Sequence, residues 1–389
     1  MKHVVSILSN SGMMGGSISH EFMLLCDCGE DNIFLSSDGK SYKANREVAV
    51  SGLKFEKGEE LPLEKVKTPG KKTIEEVANF LNVKADQTGK AVFYSTLEGE
   101  VIFVLIRGDF EVNECKLKNL LKVNELKFAN DEQIRAIGSV PGFASPVGLK
   151  EIPGKVRFVI DNSAAGTSNL VVGANEQDTH YVNFNYGRDL TGGVCADVAC
   201  VREGDPCPVT GEPLLFRHGI EIGNIFQLGL KYSKSMKCNY LDKDGKSKPM
   251  WMGCYGIGVG RTLASVIEDN HDDYGPIWPI SIAPYHVNLI ALQPKAEGVG
   301  EAAEKLYRQF EESNVEILYD DRGEKAGFMF NDADLFGIPF RVVVSPKTLA
   351  AGMAEVRTRA CRDTELIPLD KVVEVVSERV QEALKEYAF

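Results

Sequence analysis

The stretch MGCYGIGVGRT, residues 252–262, combines repeated glycine with an arginine in a way that suits nucleotide chemistry. If it is a strand, Gly256, Gly258 and Gly260 share one face, because strand side chains alternate. A face without side chains lets a planar group approach the backbone. Arg261 then opens a predicted helix, where phosphate binds well. The pattern indicates adenine on the glycines and phosphate on Arg261; the alternative is a strand packed closely against another backbone.

In the same interpretation, the side chains of Ile257 and Val259 point to the opposite face of the strand, into a core. Two familiar phosphate motifs do not fit this segment. No GK[ST] follows the glycines, and a G-x-G-x-x-G fingerprint starting at Gly256 would need glycine where Arg261 stands.

Three cysteines, Cys195, Cys200 and Cys207, raise the question of a metal. The run DPCPVTG is similar to one half of a zinc knuckle, but Val209 and Thr210 stand where a further ligand would be needed. Structural zinc takes four ligands. We therefore expect no metal and no structural zinc in this region.

Composition sets the frame for these residues. The chain has 389 residues, 43% hydrophobic and 26% charged, which is typical of a globular protein with several domains. No apolar run approaches the ~20 residues of a membrane span. Nine cysteines at scattered spacings indicate reduced thiols in the cytoplasm. A net charge of −12 argues against non-specific coating of nucleic acid.

The elements that must position the site fall into four parts. Residues 1–46 are rich in glycine and serine and then apolar, and residues 47–200 mix predicted helices with strands such as EVIFVLIRG and KVRFVID. Residues 201–283 open on a Pro/Gly linker and hold the glycine segment. Residues 284–389 alternate strands and helices, with only a helical turn predicted near FMFNDADLFG. The pattern predicts a multidomain fold of the α/β and α+β classes.

Three long segments carry a resemblance to a known family. MGCYGIGVGRT resembles motif 3 of class II aminoacyl-tRNA synthetases. RHGIEIGNIFQLGLKYS (217–233), GGSISHEF (15–22) and DDRGEKAGFMFNDADLFGIPFRVVV (320–344) are similar to bacterial-type prolyl-tRNA synthetases. The resemblance covers essentially the whole chain. It implies a class II antiparallel-sheet core in residues 1–46 and 201–283, an inserted deacylase-like editing domain in 47–200, and an α/β anticodon-binding domain in 284–389.

For the synthetic site, the resemblance implies that Arg261 holds the terminal phosphates of ATP. Glu221 and Gln227, on a strand–turn, would line the ATP site, and His20 and Glu21 would lie beside the proline pocket. A lone histidine is otherwise more often a core residue. Cys254 would face the amino-acid pocket, although a small buried thiol is the simpler role. ATP and proline are the implied substrates, with Mg²⁺ as the usual companion of ATP.

For the editing domain, the resemblance implies a second pocket that hydrolyses alanyl-tRNA, since excluding a smaller substrate by binding gains only ~1–3 kcal/mol. The matching positions are Lys116 for the tRNA end, the loop Gly142–Pro146 and Asp161 for the pocket wall, and His180 for the aminoacyl group. Cys115, beside Lys116, does not make a convincing nucleophile–base pair, so water is the expected attacker. The alternative for Lys116, Lys118, Lys122 and Lys127 is a solvated charged face.

For the last domain, the resemblance implies that tRNA bases meet a turn after a strand. The residues matched are Asp321, Arg322, Glu324, Lys325 and Phe328. Arginine and lysine can contact phosphate or base edges, and an aromatic ring can stack on a splayed base. The alternative for Phe328 is a core position.

The family's motifs 1 and 2 have no match in this chain, and motif 1 builds the family's homodimer interface. The chain is therefore expected to be a carboxy-terminal portion that shows no proline-dependent ATP–pyrophosphate exchange alone. Two hypotheses follow. One is a proline–tRNA ligase portion with editing activity, which binds the tRNA for proline and no membrane. The other is a silent tRNA-binding or stand-alone trans-editing remnant.

Overall fold

Residues 5–257 form one compact unit, built mainly of strands. This computed structural model describes residues 1, 3–361 and 363–387. The first strands are β1 (Val4–Leu8), β2 (Ser19–Leu25), β3 (Asp31–Leu35), β4 (Lys43–Asn45), β5 (Glu64–Lys67), β6 (Gly89–Ser95), β7 (Val101–Arg107) and β8 (Lys127–Phe128). They continue with β9 (Val156–Asp161), β10 (Leu170–Gly173), β11 (Thr179–Phe184), β12 (Val194–Ala196), β13 (Leu215–Gly229), β14 (Asn239–Leu241), β15 (Ser247–Pro249) and β16 (Met252–Ile257). The helices are α1 (Ile74–Leu81), α2 (Glu114–Leu121), α3 (Asp131–Ala136), α4 (Asn162–Ala165) and α5 (Lys231–Ser235).

A second compact unit comprises the chain from residue 258 onward, with residues 1–4. Its strands are β17 (His271–Asp272), β18 (Gly275–Pro276), β19 (Val287–Ala291), β20 (Ile317–Asp320), β21 (Phe340–Val344), β22 (Met353–Thr358) and β23 (Thr364–Pro368). Its helices are α6 (Val259–Asp269), α7 (Val299–Glu312), α8 (Ala326–Phe336), α9 (Pro346–Ala350) and α10 (Val372–Lys385). In the described part of the chain, every helix is too short or too polar to cross a membrane.

A six-stranded sheet in the order β16-β13-β2-β1-β4-β3 holds the segments predicted for the synthetic site. Strand β13 is 15 residues long and pairs antiparallel with β2, β16 and β3. Its length explains why Glu221 and Gln227 lie on one strand with a bulge near Gly223, rather than on the predicted strand–turn.

Residues 46–214 leave this sheet after β4 and return to it at β13. They form a five-stranded sheet, β12-β9-β7-β6-β8, and a three-stranded sheet, β10-β11-β5. Strand β7, VIFVLIR, is buried along nearly its whole length. A continuous apolar run is what a central strand covered on both faces requires. Phe103 of β7 and Phe158 of β9 are fully buried in its core.

The second unit is built on a five-stranded sheet, β20-β19-β21-β22-β23. Strand β19 pairs parallel with β20 and β21, whereas β21, β22 and β23 pair antiparallel. Helices α7 and α10 bury one apolar face each against the sheet, through Phe310 and Val376 among others. Where a helical turn was predicted, α8 is an 11-residue helix that ends at Gly337 in the left-handed region, with φ 70°.

The prediction that Gly256, Gly258 and Gly260 share a strand face is wrong. Strand β16 ends at Ile257, Gly258 is the N-cap of α6, and Gly260 lies in the first helical turn. The apolar positions of 259–267 recur at helical spacing, and Val266 of this helix is buried. The expectation that Ile257 and Val259 enter a core is also wrong, because these side chains are 78% and 80% exposed.

Candidate active sites

A cavity of about 430 Å³ opens in the inserted domain, where the loop after α3 faces the start of α1. Apolar side chains make most of its wall: Ile74, Val77, Phe93, Ile134 and Val171. Polar groups at the same cavity come from Lys72, Thr73, Thr88 and His180. A largely apolar cavity with a few convergent polar groups is the usual form of a small-molecule site.

His180, on β11, is the buried polar group of this cavity, with 5% of its surface exposed. Its Nδ1 lies 2.6 Å from Oγ1 of Thr68, which is fully buried. Burial lowers the pKa of the imidazole, so the ring is neutral at physiological pH. A neutral ring with Nδ1 engaged offers Nε2 as a hydrogen-bonding group for a ligand.

The loop of residues 141–148 closes one side of the cavity. Asn175 holds this loop: its Oδ1 accepts from the Ser145 backbone N–H at 2.9 Å, and its Nδ2 donates to the Ser145 carbonyl at 2.9 Å. Gly142 has φ +83°, a conformation that favours glycine. A Cβ on Gly173 of β10 would overlap the backbone of Phe143 and Ala144. Pro146 is buried and does not line the cavity.

One cation at this cavity, Lys72, was not singled out by sequence reasoning. Lys90 borders the cavity on β6, but its side chain points to the opposite face of the sheet from those of Ala91 and Phe93. Lys90 Nζ lies 2.6 Å from Glu111 Oε1, and only 22% of the lysine side chain is exposed. Lys90 lies on β6 next to Gly89, where an added Cβ would lie only 2.8 Å from Cγ1 of Val172. The sequence signal for Lys72 was weak, because a lysine is most often a surface residue.

Lys116 and Asp161 lie elsewhere in the domain. Lys116, on α2, donates to Asp197 Oδ2 and to the Ala199 carbonyl, both at 2.9 Å. Asp161 is 1% exposed and caps α4 by accepting from the Ser163 backbone N–H at 2.8 Å. A second cavity, of about 130 Å³, is lined by Asp161, Asp197 and Ala199. The structure thus brings Gly142 and His180 together, and keeps Lys116 and Asp161 outside their cavity.

For the four lysines Lys116, Lys118, Lys122 and Lys127, the alternative of a solvated charged face holds only in part. Lys122 and Lys127 are exposed, and Lys118 is half-buried beside Glu114 at 3.7 Å. Lys116 departs from this alternative, since its side chain is only 10% exposed and ion-paired.

Strand register divides the predicted synthetic residues between two faces of the six-stranded sheet. Asn224 pairs with Glu21 on one side and with Gly256 on the other, so these three share a face. The next row along, Ile225 with His20 and Tyr255, points to the opposite face.

Glu221 joins the face of Glu21, because its Oε1 accepts from Asn224 Nδ2 at 2.7 Å. Cys254, opposite Phe226, also lies on this face. Gln227, opposite Gly253, lies on the face of His20. That second face forms an open cavity of about 510 Å³ with His20, Gln227 and the exposed rings of Trp251 and Tyr255.

Glu21 has an unusual electrostatic environment. Its pKa is raised to about 7: burial is the main cause, a hydrogen bond from Asn45 at 3.3 Å lowers the pKa, and the neighbouring carboxylates of Glu221, Asp31 and Glu47 raise it. Burial also raises the pKa of Asp31. Near neutral pH, Glu21 therefore exchanges a proton readily.

Arg261 is the third residue of α6, in its first turn, and the helix N-cap is Gly258. The Thr262 backbone N–H donates to the Gly258 carbonyl at 2.7 Å, which closes that turn. The predicted position of an arginine at a helix N-terminus is therefore observed, within the second compact unit.

The residues predicted to contact the anticodon lie between β20 and α8 and, for Phe328, in the first turn of α8. Arg322 forms a fork with Asp320, with Nη2 2.8 Å from Oδ2, and its Nη1 lies 2.8 Å from Asp332 Oδ2. These partners raise its pKa above the usual range of arginine. Phe328 is 55% exposed, so its alternative as a core residue is wrong, and Arg322 lies over its ring at 5.8 Å. Asp321, Glu324 and Lys325 are also exposed.

Within residues 1, 3–361 and 363–387, no three His, Cys, Asp or Glu side chains are grouped as a metal site. Cys207 is buried, whereas Cys195 is exposed. The absence of structural zinc stays a prediction.

Comparison with known families gives two matched domains. Residues 68–190 match the aminoacyl-tRNA editing domain, and residues 286–379 match the anticodon binding domain. The chain is 46% identical over 385 residues to a proline–tRNA ligase of Pelobacter propionicus, covering 97% of this chain and 66% of that protein. It is 47% identical over 369 residues to one of Dehalococcoides mccartyi, covering 95% and 64%. With one of Aquifex aeolicus, it is 43% identical over 385 residues, covering 98% and 67%.

The chain thus carries both an aminoacyl-tRNA editing domain and an anticodon binding domain. It belongs to the proline–tRNA ligase family. It spans about two thirds, 64% to 67%, of the length of the curated relatives that it matches.

Proposed function

We propose that the inserted domain hydrolyses alanyl-tRNA formed in error on the tRNA for proline. The supporting observation is the cavity at His180, which combines apolar walls with one lysine, Lys72, and a neutral imidazole. Lys72 suits a phosphate of a tRNA end, and the apolar wall suits a small aliphatic side chain. Family membership and the matched editing domain support the same conclusion.

The reaction needs a water molecule rather than a protein nucleophile. Water attacks the ester carbonyl, the bond from the carbonyl carbon to the ribose oxygen breaks, and the ribose oxygen takes up a proton. Alanine and uncharged tRNA are the products. Nε2 of His180 is suited to hold the aminoacyl group, and the backbone N–H groups of loop 141–148 are suited to stabilise the developing negative charge. Thr68 and Asn175 act as positioning residues, since they hold the histidine and the loop.

The experiment measures hydrolysis of alanyl-tRNA for proline by the full chain and its variants. We expect Lys72→Ala and His180→Ala each to lower the rate by about tenfold or more, as loss of a positioned polar contact does. The comparison variant is Lys116→Ala, whose lysine lies outside the cavity. A loss larger for Lys116→Ala than for Lys72→Ala would assign the tRNA contact to Lys116, as the family resemblance does. Unchanged rates in Lys72→Ala and His180→Ala would refute the cavity assignment, and no hydrolysis by the parent chain would favour a silent tRNA-binding protein.

We further propose that residues 1–45 and 215–269 belong to a class II antiparallel core that activates proline with ATP, with Mg²⁺ as its companion ion. Glu21, Glu221 and Gly256 share one sheet face, which favours this face as the adenylate site. Arg261 at the start of α6 is suited to the terminal phosphates. The tRNA for proline is the proposed partner, read through the tail residues near Arg322, in a homodimeric whole protein.

The test for the proposed adenylate face, which Glu21, Glu221 and Gly256 share, is the binding of a non-hydrolysable prolyl-adenylate analogue, measured by calorimetry. Gly256→Val places a branched side chain on the proposed face, so we expect affinity to fall at least tenfold. Gly58→Val, where a Cβ meets nothing within 4 Å, is the comparison and should retain affinity. Equal losses in both variants would contradict the assignment of the face.

A further inference from the structure

The turn between β2 and β3 carries two cysteines one residue apart. Cys26 and Cys28 are not joined by a disulfide, and their Sγ atoms lie 3.6 Å apart. Cys28 is exposed and Cys26 is half-buried. A disulfide has an S–S length of about 2.05 Å, so the two sulfurs need to approach by only about 1.5 Å to reach bonding distance.

The backbone holds this turn in place. The Cys26 N–H donates to the His218 carbonyl at 3.2 Å, and the Gly29 N–H donates to the Cys26 carbonyl at 3.1 Å. A Cβ on Gly29 would overlap the backbone of Gly219 in β13, so the turn packs directly on the neighbouring strand. The proximity of the two thiols is therefore a property of a fixed turn.

The other cysteines of this unit lie in different surroundings. Burial and the neighbouring Glu47 raise the pKa of Cys115 to about 12, which keeps it a thiol. Cys207 is buried. The sulfurs of Cys195 and Cys238 contact Asn162 at 3.4 Å and Met250 at 3.6 Å, respectively. A thiol next to a second thiol is the arrangement that resolves a mixed disulfide within one molecule.

We propose that Cys26 and Cys28 form a reversible intramolecular disulfide by exchange with a low-molecular-weight disulfide such as glutathione disulfide. The exposed Cys28 thiolate attacks one sulfur of glutathione disulfide, and the first glutathione leaves. The Cys26 thiolate then attacks Sγ of Cys28, and the second glutathione leaves. Two protein thiols are oxidised, one glutathione disulfide is reduced, and the two protons end on the two released thiols.

The experiment treats the folded full chain with glutathione disulfide, blocks the remaining thiols with iodoacetamide and digests with trypsin. Residues 3–40 form one tryptic peptide, which contains Cys26 and Cys28 and no other cysteine. We expect this peptide to lose two hydrogens and to carry neither alkyl group nor glutathione. Reduction with dithiothreitol before blocking should restore two alkylated cysteines.

Variants separate the two steps. Cys26→Ser should leave Cys28 with a stable glutathione adduct, because the resolving thiol is gone. Cys238→Ser, which removes another exposed cysteine, should leave the bridge unchanged. The proposal is overturned if the parent peptide has two alkylated cysteines after oxidation, or two glutathione adducts, or a bridge from Cys28 to a distant cysteine.

Discussion

At the candidate sites, burial shifts the pKa values of individual side chains. His180 is buried and Glu21 is half-buried at candidate sites, and burial shifts the pKa of each toward the neutral form. For a base, burial lowers the pKa, and for an acid it raises the pKa, because the charged form loses hydration in both cases. A neutral imidazole in the editing cavity is suited to contact an ester substrate without attracting a counter-ion.

Replacing Glu21 by glutamine tests the electrostatics of the synthetic face. The pKa of Glu21 is about 7 in the folded chain and 4.5 in the reference state, so its contribution to stability is full below pH 4.5 and is lost as the pH rises through 7. Glutamine has no carboxyl group to titrate, so Glu21→Gln removes that loss. After allowance for solvent screening, we expect the effect of the substitution on the free energy of unfolding to be about 1 kcal/mol more favourable at pH 8 than at pH 5.

Thermal unfolding of the parent chain and of Glu21→Gln at both pH values measures this effect. Glu98→Gln, at an exposed turn, is the matched comparison and should show the parental pH dependence. A Glu21→Gln chain that loses stability between pH 5 and pH 8 as much as the parent would contradict the raised pKa.

At the scale of elements, the editing cavity depends on one close contact between a strand and a loop. Gly173 of β10 lies under Phe143 and Ala144, with no room for a side chain. We expect Gly173→Ala to displace loop 141–148, to cost about 1–3 kcal/mol and to reduce alanyl-tRNA hydrolysis. Gly58→Ala is the comparison, since a Cβ there meets nothing within 4 Å. Urea unfolding and the hydrolysis assay together decide the outcome; parental values for both in Gly173→Ala would refute the close contact.

The elements also show where sequence reasoning succeeds. Strands β7 and β9 and helices α7 and α10 have strong periodicity, and each was predicted close to its observed position. The prediction for the glycine segment was wrong because a strand ends and a helix begins within it, and Gly258 is the N-cap at that boundary. The antiparallel strands β22 and β23 were missed, since MAEVRT and TELIP are too short and polar to stand out.

The candidate sites were predictable to a different degree. Segment resemblance identified Gly142 and His180, and the structure brings both to one cavity. Lys72 and Asn175 carry no local pattern that marks them, since they reach the site from separate elements through tertiary packing. The split of His20 and Glu21 between sheet faces follows from strand alternation, but their partners depend on the register with β13.

At the scale of the whole molecule, the two compact units have separate cores, and each contains one of the two tryptophans. In the second unit, Arg359 is 3% exposed and forms a bidentate pair with Asp272, with Nη1 2.9 Å from Oδ2. Its Nε donates to the Asp334 carbonyl at 3.0 Å. Removing one partner of such a buried pair costs about 3–5 kcal/mol.

We therefore expect Arg359→Ala to lower the unfolding midpoint that Trp278 fluorescence reports in a Trp251→Phe background. Arg308→Ala is the comparison, because its pair with Glu304 is 70% exposed on the arginine side and should contribute less than about 1 kcal/mol. An Arg359→Ala midpoint within error of Arg308→Ala would show that the pair contributes little.

Finally, the placement of the editing domain has a consequence for biosynthesis. Strands β1–β4 leave the ribosome before residues 46–214, and their long partner β13 follows only afterwards. At ordinary translation rates, the wait is on the order of ten to thirty seconds. During that time the nascent β1–β4 ribbon has unpaired edges, so a chaperone that shields it would raise the yield of native chain.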